Sequence, residues 1–305
     1  MTTTVAKLNV PRQEHRVGES LTTLALRRLR RDKLTLLAMF ILFVLALLSF
    51  TAPITTNWLG VSYTRTNAAE TFLPIGAPGH ILGTDDLGRD HLARLLYAGQ
   101  VSLSVGFFAA VLSMTIGVTL GIVTGYFGGF IDDVVNWLIA TLTSIPSLFL
   151  LLIVSAVLLN SSSSPTVTLV LVLGFLGWTT TTRLVRGETL SIREREYVIS
   201  ARAIGASSLR IMFVHILPNL FSVIVVTMAI DIGSLILAEA GLSFLGLGIK
   251  PPTPSWGNML TGARSFFNTG PHLVIFPGLL IFLSVLCLYI IGDGVRDAFD
   301  PTAKD

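Results

Sequence analysis

Long uncharged stretches alternate with short charged segments along this chain. A helix that crosses a bilayer needs about 20 predominantly apolar residues. Six stretches are apolar enough to approach or exceed that length, and together they predict an all-α polytopic membrane protein with six transmembrane helices. These stretches are residues 34–52, 101–127, 134–160, 166–182, 219–244 and 273–291.

The composition supports this class. Hydrophobic residues make up 52% of the 305 residues and charged residues only 13%, whereas soluble domains carry about 25% charged residues. The net charge of +3 is small, and the positive residues flank the spans, which argues against nucleic-acid binding. Cys287 is the only cysteine, so one chain offers neither a disulfide nor a cysteine-based metal site.

The basic residues orient the predicted spans. A cluster of arginines precedes the first apolar stretch and is expected to hold the N-terminus in the cytoplasm. With that orientation, 16 of the 21 lysines and arginines fall in cytoplasmic segments and 5 fall outside. The predicted segments are a cytoplasmic N-terminus (1–33), a first span (34–52), an external segment (53–99), a core of five spans (100–292) and a cytoplasmic tail (293–305).

The external segment ends in GTDDLGRDHLARLLYAG, residues 83–99. Its leucines share one helix face, and Asp90 stands near the start, where an acidic residue suits the helix dipole. We therefore expect an amphipathic helix on the outer face. The acidic residues and His91 are of metal-ligating types, but capping and ion pairing with neighbouring arginines account for them.

Glycine and proline mark two of the predicted spans. Gly117, Gly121 and Gly125 recur every four residues, a spacing that lets helices approach closely in lipid. Pro146 lies inside the predicted third span and is expected to kink it. Such a kink either lines a transport pathway or is simply structural.

The longest charged segment between two apolar runs is EYVISARAIGASSLRIMFVHILP, residues 196–218. Gly205 is placed to end a short helix, and Ser207 or Ser208 to cap a second one. Pro218 disfavours helix at the residue before it and suits the first turn of the next span. The pattern predicts a short helix, a turn, a second helix and entry into the membrane, which gives a surface for a partner outside the bilayer.

This segment resembles the cytoplasmic loop of the inner-membrane permease subunits of ABC importers, which carry the signature EAA…G…I-LP. The resemblance implies that a loop at 183–218 forms a coupling helix docked in a groove of an ATP-hydrolysing subunit. The family's leading Glu and first Ala fall on Ile199 and Ser200, which depart from the signature. The matching residues are Ala201, Gly205, Ile216, Leu217 and Pro218.

Two further strings resemble the dipeptide/oligopeptide/nickel branch of that family. Residues 83–99 match GTD-x-x-GRD-x-x-x-R, and residues 238–248, AEAGLSFLGLG, are similar to the branch pattern. The resemblance implies a type I ABC importer permease in a bacterial or archaeal plasma membrane, with both termini cytoplasmic. It also implies a second homologous permease, two ABC ATPase subunits and an external solute-binding protein as partners.

The implied function is half of a translocation pathway for di- or oligopeptides. Nickel complexes, sugars and glutathione-like compounds use similar permeases, so the substrate stays open. The sequence contains no G-x-x-x-x-G-K-[ST], so we expect ATP to bind partner subunits, and we expect no catalytic, cofactor or metal site in this chain.

Asp231 and Glu239 are the two ionisable residues of the predicted fifth span. Such groups are costly in a membrane and usually face the bundle interior or water, so both are possible pathway residues together with Pro146. Glu239 alternatively lies near the external interface. A rival function is an ion-coupled secondary transporter using Asp231, which predicts internal repeats with paired interrupted helices; the sequence shows no convincing repeat. A membrane scaffold is a weaker rival, because it leaves the motifs unexplained.

Overall fold

The computed structural model describes residues 21–159 and 164–299. Most of the predicted N-terminal segment, residue 160 of the predicted third span and residues 300–305 of the predicted tail lie outside that range. The first described helices are α1 (Leu21–Arg31), α2 (Lys33–Phe50), α3 (Ala52–Leu59), α4 (His91–Phe127), α5 (Gly129–Thr143), α6 (Ser147–Leu159) and α7 (Pro165–Arg193). The others are α8 (Glu196–Ala203), α9 (Ser208–Arg210), α10 (Phe221–Phe244), α11 (Trp256–Met259), α12 (Ala263–Thr269) and α13 (His272–Phe299).

Two irregular helical segments connect α9 to α10. They are a π-helix (Ile211–Ile216) and a 3-10 helix (Leu217–Leu220). Together with α9 and α10 they form one apolar unit of 37 residues, Ser208–Phe244. That unit, α2, α4, α7 and α13 are the five described helices long and apolar enough to cross a membrane, and α5 with α6 makes a sixth if the bent pair is one span. The predicted all-α, six-span class is confirmed.

The centre of the molecule is the seam between α4 and α7. Gly117, Gly121 and Gly125 lie on the face of α4 that meets α7. A Cβ added at Gly121 would lie only 2.7 Å from the Cβ of Val185, far inside ordinary van der Waals contact. Gly117 meets Thr181 in the same way one turn before this contact, and Gly125 meets Thr189 one turn after it. The predicted glycine packing face therefore exists, and α7 is its partner.

The third predicted span is broken rather than kinked. The α5 helix ends at Thr143, and α6 begins at Ser147 with an 86° change of direction. Pro146 causes the break, because proline lacks an N–H for the helical ladder and its ring crowds the carbonyl four residues earlier. The predicted third span is therefore a broken span of two helices rather than one continuous helix, and it begins earlier than predicted, at Gly129.

The external segment also differs from the prediction. No separate amphipathic helix lies at residues 83–99; α4 begins at His91 and runs 37 residues without interruption. Asp90 caps it, since its carboxylate accepts the Ala93 N–H at 2.7 Å. Leu95, expected on a surface-lying helix, is 5% exposed and packs with Trp256 in the core. At least this leucine of the stripe therefore faces protein, while Leu92 and Leu96 are partly buried.

Contacts between distant parts of the sequence place several segments at one end of the bundle. Gly294 near the end of α13 packs against Thr35 at the start of α2. Phe299 lies 6.4 Å from Phe221, ring centre to ring centre, where α10 begins. The start of the first span, the end of the last and the charged segment before α10 therefore share one side. The external segment and the loop before α13 meet at the other side, where the Phe72 ring contacts Phe266.

Candidate coupling and translocation sites

The α8 helix sits on the ends of the spans through one face. Val198 is completely buried and Ala201 nearly so. Val198 packs in a cluster with Ile122 of α4, Val185 of α7 and the buried Ile216 of the π-helix, among others. A helix with only eight residues gains little from its own hydrogen bonds, so this tertiary contact is what holds α8 in place.

The opposite face of α8 and the turn after it is exposed and apolar. Ile204 is 86% exposed, Leu209 65% and Ile199 49%. Ser200 is exposed as well. Large exposed apolar side chains that cluster in a charged segment between two spans indicate an interaction surface. Ile199 and Ser200, which depart from the coupling signature, face outward, whereas Ala201, which matches it, faces inward.

Gly205 ends α8 as the sequence predicts. Its φ is +87°, a left-handed conformation that glycine adopts without a Cβ penalty. The Ala206 N–H donates to the Ala201 carbonyl and the Gly205 N–H to the Arg202 carbonyl, both at 3.0 Å. This pair of bonds is the Schellman arrangement of a helix C-terminus. Ser207 then caps the next helix through the Arg210 N–H.

Pro218 lies in the first turn of the 3-10 helix, as predicted for the start of a new helix, but it does not disrupt the helix at the residue before it. Leu217 remains helical, with φ −53° and ψ −43°, so the chain is not interrupted before the proline. The backbone instead widens into the π-helix and tightens into the 3-10 helix before α10 begins. Ile216 is wholly buried at this joint, Leu217 is partly buried and Pro218 is exposed. The coupling signature thus coincides with a non-ideal helical joint, and π segments of this kind occur often at functional sites.

Three arginines tie this segment to the spans, and sequence reasoning did not single out their partners. The Arg202 guanidinium lies 5.5 Å from the centre of the Tyr126 ring at the end of α4. Arg193 donates to the Gly125 carbonyl at 2.9 Å. Arg186 of α7 makes two hydrogen bonds to Asp132 of α5, each 2.5 Å long. In the sequence, the position of these arginines after an apolar run indicates only the end of a span, so their contact partners could not be predicted.

Glu239 is enclosed in a network of hydroxyl groups. It is 0% exposed and accepts hydrogen bonds from Ser102 at 2.8 Å and Ser243 at 2.7 Å. The Ser102 hydroxyl in turn accepts the Trp256 N–H, and the Ser243 hydroxyl accepts the Ile249 N–H. The carboxylate therefore anchors the loop between α10 and α11 to α4 rather than facing an open space.

Asp231 has a different setting. It is only partly buried and accepts one hydrogen bond, from the Thr181 hydroxyl of α7 at 3.0 Å. Pro146 lies nearby along the bundle in a cavity of about 290 Å³, between the α5–α6 break and α7. Among the possible pathway residues, Pro146 thus borders a cavity and Asp231 is partly exposed, whereas Glu239 is fully enclosed.

The acidic cluster of the external segment is explained by ion pairing. Asp85 accepts hydrogen bonds from the side chains of Arg89 and Arg94 and from the backbone N–H groups of Leu87 and Arg89. Burial alone would raise the pKa of Asp85, but Arg94 and these donors more than offset it, so the pKa is lowered. Within residues 21–159 and 164–299, no group of three or more His, Cys, Asp or Glu residues is arranged to hold a metal ion.

Comparison with known proteins gives concordant matches over most of the chain. A family described as binding-protein-dependent transport system inner membrane component matches residues 117–305. A second, described as the N-terminal TM domain of oligopeptide transport permease C, matches residues 20–74. The chain is 38% identical to a dipeptide transport system permease protein of Alkalihalophilus pseudofirmus, over 92% of this chain and 90% of that protein.

Other relatives carry different substrates in their names. The oligopeptide transport system permease protein of Mycobacterium tuberculosis is 37% identical, over 92% of this chain and 95% of that protein. A glutathione transport system permease protein of Escherichia coli is 43% identical, over 74% of this chain and 73% of that protein. All three are permease components of transport systems.

Proposed function

Because this chain belongs to the family of binding-protein-dependent transport system inner membrane components, we propose that it forms half of the translocation pathway of an ATP-driven importer for di- or oligopeptides. It is a multi-pass membrane permease of the type I ABC importer class. Peptides are favoured as cargo because relatives that align over nine-tenths of the chain are dipeptide and oligopeptide permeases. Glutathione, named for another relative, is itself a peptide.

One observation carries the coupling role. The α8 helix buries Val198 against the ends of α4 and α7 and also buries Ala201, while Ile199 and Ile204 are exposed. A helix held on one face and apolar on the other transmits a force from a partner to the spans. The glycine seam makes α4 and α7 one rigid unit, so a push on α8 moves both.

The same geometry explains how Ile199 replaces the family's Glu. A glutamate at this exposed position would offer a polar contact to the ATPase, whereas Ile199 adds to the apolar surface that includes Ile204 and Leu209. We propose that burial of this surface, roughly 25 cal/mol per Å² of apolar area, replaces that polar contact. The π and 3-10 joint then passes the motion to α10, where Ile216, Leu217 and Pro218 lie.

The remaining parts of the machine are also proposals. A second permease completes the pathway, two ATPase subunits hold ATP and dock on the two coupling segments, and an external solute-binding protein delivers the peptide. We propose that both termini and α8 are cytoplasmic, because the start of α2, the end of α13 and the charged segment before α10 lie at one end of the bundle and most of the basic residues are in those segments. This chain then binds no nucleotide and catalyses no reaction itself.

The test is ATP hydrolysis by the complex reconstituted in membranes, co-expressed with its ATPase and second permease. Binding protein loaded with peptide should stimulate hydrolysis. Ile204→Asp puts a charge on the 86%-exposed docking residue and should lower ATPase co-purification and stimulated hydrolysis tenfold or more. Ile204→Val, which keeps the apolar surface, is the matched control and should retain both.

Two results would overturn the proposal. One is an Ile204→Asp complex that assembles, hydrolyses ATP and transports as the unmodified protein does. The other is uptake without any associated ATPase, driven by a proton or sodium gradient and lost in Asp231→Asn. That second result would establish the secondary transporter instead.

A further inference from the structure

One stripe of α7 borders two separate cavities. The stripe consists of residues spaced three or four apart, so they share a helix face. Its first part lines the 290 Å³ cavity beside Pro146, and its last part lines a second cavity of about 450 Å³ between α7, α10 and α13. The stripe comprises Leu173, Gly177, Thr180, Leu184 and Glu188.

Along the sequence of both helices, the Thr181–Asp231 hydrogen bond falls between residues that line the two cavities. On α7, Thr180 lines the first cavity and Leu184 the second, with Thr181 between them. On the antiparallel α10, Ile230 lines the second cavity and Leu235 the first, with Asp231 between them. Neither residue lines either of these cavities itself, but each is flanked along its helix by residues that border one cavity on one side and the other cavity on the other side.

The carboxylate of Asp231 has unused hydrogen-bonding capacity. A carboxylate has about four acceptor positions, and Thr181 fills one of them. In the described part of the chain, no arginine, lysine or histidine forms an ion pair with Asp231. Ionisable residues within membrane spans pair with another group or face a water-filled cavity.

Glu239, eight residues further along the same helix, provides the contrast. Both of its carboxylate oxygens accept a serine hydroxyl, and no part of it is exposed. Its hydrogen bonds serve the fold, and it has no room for a ligand. Asp231 is partly exposed and bonded once, so the two carboxylates of one span have different tasks.

We propose that Asp231, held by Thr181, accepts the primary ammonium group of the transported molecule as it passes along the α7–α10 face. An ammonium offers three donors and a positive charge, and a charge-assisted bond to a carboxylate is stronger than a neutral one. This inference rests on the proposed import of peptides, whose N-terminus or lysine side chains supply such a group. Uptake in this view depends on the negative charge at residue 231.

The experiment uses the complete importer in proteoliposomes containing ATP, with saturating binding protein and radiolabelled trialanine. Asp231→Asn keeps the shape and removes the charge, and should lower trialanine uptake at least tenfold. Asp231→Glu restores the carboxylate and should recover at least half of the uptake. Ser234→Ala, on the same helix but bonded to Tyr289, is the matched control and should transport as the unmodified protein does.

Two acetylated peptides then identify the ammonium group. If N-acetyl-alanyl-lysyl-alanine is affected by Asp231→Asn as strongly as trialanine is, the site accepts any primary ammonium. If only trialanine is affected, the site accepts the N-terminus. Either result supports the proposal, provided that N-acetyl-trialanine, which has no ammonium group, is not reduced.

Three results would overturn the inference. The first is unchanged trialanine uptake in Asp231→Asn, and the second is an equal loss for all peptides that Asp231→Glu does not rescue. The third is loss of the second permease from the purified Asp231→Asn complex, which would assign the carboxylate to the subunit interface. If the unmodified complex shows no ATP-dependent uptake of any peptide, the proposed function itself has failed, and that result is separate from all three.

Discussion

Gly121→Ala is the sharpest perturbation of the α4–α7 seam. The added methyl group would lie 2.7 Å from the Val185 Cβ and 3.0 Å from the Thr182 carbonyl oxygen. Ordinary carbon contacts are about 3.5–4.0 Å, so α7 must move outward by roughly 1 Å. Backbone atoms form part of the obstacle, and they cannot rotate away as the end of a flexible side chain would.

The expected cost follows from that overlap. Overpacking of a well-packed core costs about 1–3 kcal/mol, and a chain of this size loses about 2–4 °C of melting temperature per kcal/mol. Gly121→Ala should therefore lower the melting temperature by roughly 4–8 °C for a central cost of about 2 kcal/mol. Gly187→Ala is the matched control, since a Cβ there meets nothing within 4 Å.

The chain contains its own reporter for this measurement. Cys287 is the only cysteine and is buried, so a thiol-reactive fluorophore reacts when the detergent-solubilised chain unfolds. Val185→Ala in the Gly121→Ala background removes the Val185 Cγ1, which lies 2.8 Å from the added methyl group, and should recover part of the loss, as a double-mutant cycle measures. Equal melting temperatures for Gly121→Ala and Gly187→Ala would refute the close-packed seam.

Other predictions concern single sites. Gly205→Ala forces a Cβ into a left-handed residue, at about 1–2 kcal/mol, and should reduce peptide-stimulated ATP hydrolysis, whereas Gly205→Asn should reduce it less. Ser102→Ala deprives the Trp256 N–H of its acceptor and should speed hydrogen exchange of that amide roughly tenfold. Asp85→Asn leaves Arg94 buried without its partner and should cost about 3 kcal/mol at pH 7. Because the folded-state pKa of Asp85 is lowered from 3.8, its contribution is complete above about pH 4. The contribution disappears as the pH falls further, so the melting temperatures of the two proteins should converge there.

The parts predictable from sequence depend on local patterns. The spacing of Gly117, Gly121 and Gly125 predicts a packing face because close helix approach in lipid needs small residues in register. Gly205 and Ser207 predict helix ends because the conformations they favour are local. The partner face on α7 was not predictable, since threonine and valine suit a lipid-facing helix equally well.

Features that depend on contacts between residues far apart in the chain could not be predicted from the sequence. Pro146 predicts a bend, but the 86° angle depends on where α6 packs against α7. The leucines after His91 have the spacing of a surface helix, and only the neutralisation of Arg94 by Asp85 and the packing of Trp256 show that Leu95 is buried in the core. The sequence alone made Glu239 a candidate pathway residue, because its hydrogen-bond partner Ser102 lies 137 positions away and could not be identified.

The contact between Thr35 and Gly294 has a consequence for how the chain is made. The first span meets the last at this point, and at Ser49 it also meets Gly99 of α4. During synthesis the ribosome delivers α2 long before α13, so α2 must wait in the bilayer, mostly surrounded by lipid, until the final span arrives. Assembly is therefore finished by the last helix to be inserted, and a ribosome stalled before residue 294 leaves the first span without its contact to α13 at Thr35.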